Sequence, residues 1–411
     1  MTIKRRELMS AAASLGAVAA LAPSRALAMT SRVMQGANDP LGVRRDFPIL
    51  ENGRTYLNSA YITPCPRDVA AAGAAFVQAK ATRPITVGEM LQNANDVRAQ
   101  FARLVNATPE EIGFVFATTE AENILANTVP MRAGDNVVVD NLHYEGALVV
   151  YRQLEARRGI QLRIVEHRDG LVTPDDIARQ VDARTRLVSV SYVSSVNGLR
   201  HDVRALAAVA HAHGALLHVD AIQALGMFPV DVRADDVDFL CSGTYKWLLG
   251  GFGVAPFYIR RELLDRIPVD RLGALHVEKE LPDHRYQLYK TAKKFEYATL
   301  PFAEVYQLGA GLAYLERVGV DRIEQHTVAL ARELRDGLAA LGFTLFTPAG
   351  NGSSIVSLRL QKNQARAREV LDKAGVQVSY REGGSMIRVS PALFNTRSEI
   401  RQFLEAAKSF A

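Results

Sequence analysis

From Asn136 onward, short apolar runs of the chain alternate with stretches of helical periodicity. The runs are NVVVD, QLRIVEH, TRLVSVSYV, ALLHVDA, VDFLCSG and GVAPFYI. Several of them are almost continuously apolar, which is typical of strands that are covered on both faces. Between two runs, the stretch from Asp202 to Gly214 has a capping residue, one apolar face and a terminating glycine. The alternation predicts a mostly parallel α/β sheet.

The pattern changes near Val320, where a long helical stretch precedes shorter strands and helices. We therefore predict a large domain over residues 46–319 and a small C-terminal α+β domain over residues 320–411. The N-terminal segment is expected to pack on the small domain. A length of 411 residues, of which 48% are hydrophobic, is sufficient for cores of this size.

The N-terminus has the features of a targeting segment. KRRELM is followed by the short apolar run AAASLGAVAALA and by small residues at Ala26–Ala28. This pattern predicts a signal peptide over residues 1–28, and Arg5–Arg6 indicates a twin-arginine type that uses the corresponding export machinery and leads to the periplasm. The alternative is a basic, alanine-rich tail on a cytoplasmic protein.

Charge and hydropathy exclude two classes of partner. The net charge of +5 lies largely in the N-terminal segment, and the remaining sequence has no basic stripe that would indicate nucleic acid binding. No later apolar run is long enough for stable membrane insertion. The two cysteines, Cys65 and Cys241, form neither a disulfide framework nor a metal cluster, and their pairing stays open.

The stretch SGTYKWLLGG contains one cation, Lys246, followed by Trp247, which is the only tryptophan of the chain. Lys246 is either a surface residue whose stem packs on aromatic rings or an amine kept for covalent chemistry with a carbonyl. Asp220 ends an apolar run, where α/β sheets place their ligands, although a lone aspartate there is more often a helix cap. Together the two residues indicate pyridoxal phosphate, joined to Lys246 and kept protonated at its ring nitrogen by Asp220.

Two further stretches meet the other needs of this cofactor. In GFVFATTEAENILANT, Thr118–Thr119 follow an apolar run and precede a helical pattern that starts at Glu120. A helix N-terminus there would bind the phosphate, and an ordinary helix cap is the alternative. After NVVVD, His143 and Tyr144 offer a ring on which the cofactor can stack.

The motifs ATTE, HVDAIQ, SGTYKW and IRVSPALFNT, in this order, resemble those of class V aminotransferases. These are fold-type I pyridoxal-phosphate enzymes, a group that includes cysteine desulfurases, kynureninase and isopenicillin N epimerase. The resemblance runs from about Asp46 to the C-terminus. It implies an α/β fold with a mostly parallel seven-stranded sheet flanked by helices, and a homodimer with shared active sites.

The resemblance also implies roles for individual residues. Lys246 matches the Schiff-base lysine, Asp220 the partner of the ring nitrogen, and Gln223 the residue that hydrogen-bonds the phenolic oxygen. Tyr144 is preferred to His143 as the stacking residue. The positions that match phosphate ligands are Thr118, Thr119, Ser242, Tyr245 and Thr299, the last of these toward the neighbouring subunit.

Four residues are expected to bind substrate. Arg388, in MIRVSP, matches the arginine that holds the substrate α-carboxylate, because a planar guanidinium binds a carboxylate at two points. A strand-edge surface arginine is the alternative. Arg381 is a second candidate for a substrate acid group, and Asn58 and Tyr61 are expected near the pocket entrance by family position.

Departures from the family pattern reduce the number of reactions that we expect this chain to catalyse. Cysteine desulfurases have a cysteine before the carboxylate-binding arginine, whereas here this loop reads SYREGGSM, which argues against persulfide chemistry. Ser195 replaces a family asparagine. We predict transamination of an amino-acid-type substrate, with epimerisation or C–S/β-elimination as alternatives and tailoring of an exported, siderophore-type metabolite as a further possibility. A non-catalytic binding protein is disfavoured because Lys246, Asp220 and Arg388 are all present.

Overall fold

A computed structural model describes residues 39–411, whose centre is a seven-stranded sheet. The strand order is β2-β8-β7-β6-β5-β3-β4, and β8 alone of these seven strands runs in the opposite direction to the other six. The strands are β2 (Ile112–Val115), β3 (Asn136–Asp140), β4 (Gln161–Val165), β5 (Thr185–Ser191), β6 (Leu216–Asp220), β7 (Phe239–Cys241) and β8 (Ala255–Ile259). The predicted signal peptide over residues 1–28 lies outside the described residues.

Helices cover both faces of this sheet, which explains why β3, β7 and β8 are buried along their whole lengths. The helices up to the end of this region are α1 (Arg67–Thr82), α2 (Val87–Leu104), α3 (Thr118–Thr128), α4 (Glu145–Arg158), α5 (Pro174–Ala178), α6 (Val203–His211) and α7 (Phe302–Val318). The predicted cap of α6 is confirmed, since the carboxylate of Asp202 accepts a hydrogen bond from the amide of Ala205 at 3.0 Å.

A second, antiparallel sheet follows Gly319 and has the order β11-β12-β15-β14. Its elements are α8 (Val320–Ala340), β11 (Thr344–Leu345), β12 (Val356–Arg359), α9 (Gln364–Lys373), β13 (Val376–Gln377), β14 (Ser379–Arg381), β15 (Met386–Val389) and α10 (Arg397–Ala407). β13 lies outside this sheet and pairs with β1 (Thr55–Tyr56) of the N-terminal segment. Asn58, just after β1, forms a bridge with Ser390.

The structure adds one element to the sequence analysis and shortens another. An antiparallel hairpin of β9 (Val277–Leu281) and β10 (Arg285–Leu288) precedes α7. FTLFTP, one of the shorter strands predicted after Val320, forms only the two-residue strand β11. Within residues 39–411, no helix combines the length and the apolarity needed to cross a bilayer. The same residues contain no acid, histidine or cysteine cluster arranged to hold a metal ion.

Candidate active site

Polar residues end three adjacent strands of the large sheet: Asp140 on β3, Ser191 on β5 and Asp220 on β6. The carboxyl ends of parallel strands meet at one edge, where this class of sheet binds ligands. A cavity opens at this edge and includes every predicted cofactor residue except Ser242 and Thr299. Its lining consists of Ala117, Thr118, Thr119, Tyr144, Ser191, Ser195, Asp220, Ile222, Gln223, Tyr245 and Lys246.

The turn after β7 presents Lys246 to the cavity. Leu249 has a φ of 63°, and its amide donates to the carbonyl of Lys246 at 2.9 Å, which closes the turn. The turn rests against Gly226, which has a φ of 91°. A Cβ at position 226 would lie 2.1 Å from the carbonyl oxygen of Trp247, so only glycine permits this approach.

Lys246 is buried, with 9% of the residue exposed, and its amine has no hydrogen-bond partner among the described residues. Burial lowers the pKa of Lys246 to about 8; the charge of Asp220 opposes this shift, whereas those of Arg388 and Arg381 reinforce it. A larger neutral fraction of the amine is therefore present near neutral pH than for an ordinary lysine. A neutral amine is the form that attacks a carbonyl.

Asp220 is held from one side only. Its Oδ1 accepts a hydrogen bond from the amide of Ile222 at 2.9 Å, and Oδ2 has no partner in the part of the chain that the structure describes. Burial raises the pKa of Asp220, and the charges of His143 and Lys246 counteract this effect. A carboxylate with one oxygen left for the cavity suits a cationic N–H donor such as a protonated ring nitrogen.

The N-terminus of α3 faces the same cavity. The helix begins at Thr118, so the predicted start at Glu120 is wrong by two residues, because the extended backbone already ends at Ala117. Ala117 offers no side-chain cap. Gly243 donates its amide to Oγ1 of Thr118 at 2.9 Å. The uncapped first turn provides backbone N–H groups and two threonine hydroxyls, which is a suitable site for a phosphate.

Tyr144 and His143 have different positions although they are adjacent. Tyr144 lines the cavity and is 45% exposed, whereas His143 is buried beneath it. Nδ1 of His143 accepts the amide of Tyr144 at 2.7 Å and lies 3.0 Å from the hydroxyl of Ser191. Of the two rings, that of Tyr144 is the one available for stacking in the cavity.

A buried polar network lies behind His143, and the sequence analysis did not find it. Nε2 of His143 and Nδ1 of His218 lie 3.2 Å and 3.3 Å from Oε1 of Glu122. The hydroxyl of Tyr151 donates to the same carboxylate. Although burial opposes ionisation, the two histidines bring the pKa of Glu122 well below its usual value. One available signal was the position of His218, which shares a strand face with Asp220 two residues later.

Gln223 has a fixed amide orientation. Its Nε2 donates to the carbonyl of Ala60 at 2.9 Å, and its Oε1 accepts the indole N–H of Trp247 at 2.7 Å. One N–H of the amide remains for a ligand in the cavity. This remaining donor agrees with the predicted role of Gln223 toward a phenolic oxygen.

Arg388 is buried, with 1% of the residue exposed, and no carboxylate pairs with it within residues 39–411. Its Nη1 donates to the carbonyl of Ser195, which lines the cavity, and its Nη2 donates to the hydroxyl of Ser379 at 3.2 Å. Its Nε has no hydrogen-bond partner among the residues that the structure describes. Burial, with the charge of Arg381, lowers the pKa of Arg388 to about 9. A buried guanidinium without a counter-charge is poised for an anionic ligand.

Two other predicted substrate residues, Asn58 and Tyr61, are not among the residues that line the cavity. Buried Asn58 accepts a hydrogen bond from the hydroxyl of Ser379 and thus contacts Arg388 indirectly. Tyr61 is 59% exposed, and its amide donates to the carbonyl of Asn58 at 3.0 Å. Asn58 is therefore positioned to support Arg388, while Tyr61 lies at the surface.

Two predicted phosphate ligands are not brought to the cavity of their own chain. The hydroxyl of Ser242 is buried and donates to the carbonyl of Gly243 at 3.1 Å, because the residue lies beneath the turn. Thr299 is exposed in a separate cleft that also contains Phe116 and Arg271. Its role toward a neighbouring subunit stays a prediction.

Comparisons with known proteins agree with this arrangement. The Aminotransferase class-V family matches residues 55–403. A protein named probable cysteine desulfurase from Methanothermobacter thermautotrophicus is 30% identical over 401 residues, which cover 90% of this chain and 97% of the relative. The chain belongs to the aminotransferase class-V family.

Solved structures share the fold. The apo structure of a cysteine desulfurase from Thermococcus onnurineus NA1 is 26% identical, with a TM-score of 0.82 over 90% of this chain and 97% of the other. A variant of C-DES with glycine covalently linked to its PLP cofactor has a TM-score of 0.83 at 20% identity, over 90% of this chain and 99% of the other. The predicted fold-type I α/β architecture is confirmed.

Family membership also confirms pyridoxal phosphate as the cofactor of this class V enzyme. The residues present fit the group. Among residues 39–411, the buried amine of Lys246 and one carboxylate oxygen of Asp220 are unpaired and α3 has an uncapped N-terminus, all at one cavity. The exposed ring of Tyr144 completes the set.

Proposed function

We propose that this class V enzyme transaminates an α-amino acid. The proposal depends on one observation: the site contains both a buried amine, that of Lys246, and a buried guanidinium, that of Arg388. The guanidinium has no acidic partner within residues 39–411. An amine of this kind serves covalent and proton-transfer chemistry, and a guanidinium of this kind binds a carboxylate. An α-amino acid carries, on one carbon, a carboxylate that Arg388 can bind and a proton that the amine of Lys246 can move.

Pyridoxal phosphate, when bound, joins amines through its aldehyde and withdraws electrons from the bonds at the substrate Cα. Lys246 would hold the cofactor and then, once released, move a proton at Cα, since a pKa near 8 allows the amine to accept and donate near neutral pH. The carboxylate of Asp220 would keep the ring nitrogen protonated. The first turn of α3 would anchor the phosphate.

Arg388 would fix the substrate through its α-carboxylate. Its contacts with the carbonyl of Ser195 and the hydroxyl of Ser379 hold the guanidinium plane, which leaves Nε without a protein partner. Fixing the carboxylate orients the remaining bonds at Cα relative to the cofactor ring, and the choice of the bond that breaks depends on this orientation.

Elimination at Cβ is a second candidate, favoured by the relatives that are named cysteine desulfurases. An enzyme-bound persulfide is not part of this candidate. The loop between β14 and β15, residues 382–385, contains no cysteine, and Cys241 is buried on β7. A lyase that releases the sulfur-bearing group directly from its substrate would need no such cysteine.

Product analysis separates the two reactions. Purified holoenzyme is incubated with a panel of α-amino acids that includes cystine, without and with a 2-oxo acid acceptor, and the products are identified by mass spectrometry. Transamination predicts a 2-oxo acid with the intact substrate carbon skeleton and transfer of nitrogen to the acceptor. Loss of the β-substituent with release of ammonia would support the lyase. Nitrogen retained in every product would exclude transamination.

Export and dimerisation complete the proposal. The sequence of residues 1–28 supports a twin-arginine route to the periplasm, and fractionation of cells that express the chain and an Arg5→Lys, Arg6→Lys variant tests it.

Exposed Thr299 supports a shared active site. Mixing inactive Lys246→Ala and Thr299→Glu proteins should restore activity if each subunit supplies Thr299 to its neighbour, because one site of the hybrid is then intact.

A further inference from the structure

Lys246 lines the cavity, and the charges of Arg381 and Arg388 both act on its amine. Ser379 and Arg381 are separated by one residue on β14, so both side chains project from the same face of that strand. In the antiparallel register, Ser379 pairs with Arg388 and Arg381 pairs with Met386. The contact between Ser379 and Arg388 shows that this face is turned toward the large sheet.

The packing of β15 supports this orientation. Met386 belongs to the apolar core of the large sheet, whereas the next residue, Ile387, belongs to the core of the C-terminal sheet. Arg381, opposite Met386, therefore projects from the side of the strand that faces the cavity. Its charge lowers the pKa of both Lys246 and Arg388, as expected for a cation near both.

Arg381 has no ion pair or hydrogen-bond partner anywhere in residues 39–411. The acid next to it in sequence, Glu382, pairs instead with Arg359 on β12 at 2.8 Å. The ring of Tyr380 packs under Arg368 on the other face, 4.2 Å from its guanidinium carbon. Half-buried Arg381 is thus a cation that the protein itself does not neutralise.

We propose that Arg381 binds a second acid group, carried by the side chain of the substrate. The substrate class is then an α-amino acid with a distal carboxylate or a comparable anionic group. This inference rests on the proposed function, since it takes Arg388 as the ligand of the α-carboxylate.

The charges of the site explain why a substrate with a single carboxylate would not neutralise both arginines. Arg388 has two of its nitrogens engaged by Ser195 and Ser379 and can hold one carboxylate. Asp220 would be engaged by the cofactor ring, and the first turn of α3 would be engaged by its phosphate. A monoacid would therefore leave Arg381 as an uncompensated charge in a partly desolvated site, whereas a diacid would pair it.

The experiment measures binding of amine-free acids to holoenzyme by the change in cofactor absorbance, at constant ionic strength. The probes are the diacids succinate, glutarate and adipate, each compared with the monoacid of equal chain length: butyrate, pentanoate and hexanoate. The proteins are wild type, Arg381→Gln, the charge-preserving Arg381→Lys, and Arg388→Gln. Tryptophan fluorescence of Trp247 verifies that each variant is folded.

We expect at least one diacid to bind wild type about ten- to a hundredfold more tightly than its monoacid, the range that a charge-assisted hydrogen bond supplies. Arg381→Gln should abolish this preference and leave monoacid binding within about twofold, Arg381→Lys should retain part of it, and Arg388→Gln should weaken both classes of acid. A wild-type protein without the preference, or a preference that survives in Arg381→Gln, overturns the inference.

Failure of the inference differs visibly from failure of the proposed function. If no amino acid alters the cofactor or yields product, the proposed function fails. If neutral amino acids turn over normally and diacids gain nothing from Arg381, only the second acid subsite is wrong.

Discussion

The hydroxyl oxygen of Ser379 lies 3.2 Å from Nη2 of Arg388 and accepts its hydrogen bond. The same hydroxyl donates to Oδ1 of Asn58, so the three side chains form a chain that ends at the guanidinium. Because, within residues 39–411, the guanidinium is otherwise held only by the carbonyl of Ser195, its orientation depends on this contact.

Ser379→Ala should therefore raise KM about three- to tenfold with little change in kcat, because the lost contact orients Arg388, which binds the substrate before the reaction. Steady-state kinetics measure the split. Ser385→Ala is the matched control, because that hydroxyl donates to the carbonyl of Glu382 in the neighbouring loop. A fall in kcat with an unaltered KM would show that Ser379 acts on the chemical step instead.

The lowered pKa of Lys246 predicts the pH dependence of cofactor attachment. Burial lowers this pKa from 10.5 to about 8, so the amine loses its proton as pH rises through about 8. The rate at which apoenzyme regains the absorbance of lysine-linked cofactor should reach half of its plateau near that pH. A midpoint above pH 10 would mean that the amine is an ordinary solvated lysine.

The contact between Gln223 and Trp247 predicts a loss of stability. Gln223→Leu leaves the buried indole N–H without its acceptor and should lower the free energy of unfolding by about 1–3 kcal/mol. Chemical denaturation followed by tryptophan fluorescence measures this value. The exposed Gln78→Leu on α1 should change it by less than about 0.5 kcal/mol. Equal effects of the two substitutions would argue against the contact.

The network around Glu122 predicts a pH-dependent contribution to stability. Glu122→Gln removes a buried carboxylate that is surrounded by two histidines and Tyr151, and it should lower the free energy of unfolding by about 1–3 kcal/mol near neutral pH. The pKa of Glu122 is lower in the folded protein than the usual value of 4.5, so the stabilisation is present above that value and is lost as pH falls through the folded pKa. The difference between wild type and variant should shrink under acid conditions. Exposed Glu369→Gln is the control, and a constant difference at all pH values would contradict an ionised carboxylate at Glu122.

Periodicity predicted the elements of the large sheet because strands covered on both faces leave a local apolar signature, as NVVVD does over the whole of β3. Lys246 and Asp220 could be predicted together because each ends or follows such a strand. The pairing of Glu122 with His143 and His218 could not, because it joins residues from three elements that only the tertiary fold brings together. The contact between Ser379 and Arg388 likewise depends on strand register, which the sequence alone does not specify.

The central claim is that the amine of Lys246 forms the covalent link to pyridoxal phosphate. Borohydride reduction of the holoenzyme, followed by digestion and peptide mass spectrometry, tests this claim most directly. The account predicts one phosphopyridoxyl group on the peptide that contains Lys246 and none in a folded Lys246→Ala variant. The label on another lysine, such as Lys290 or Lys293, or the same labelling in Lys246→Ala, would contradict it.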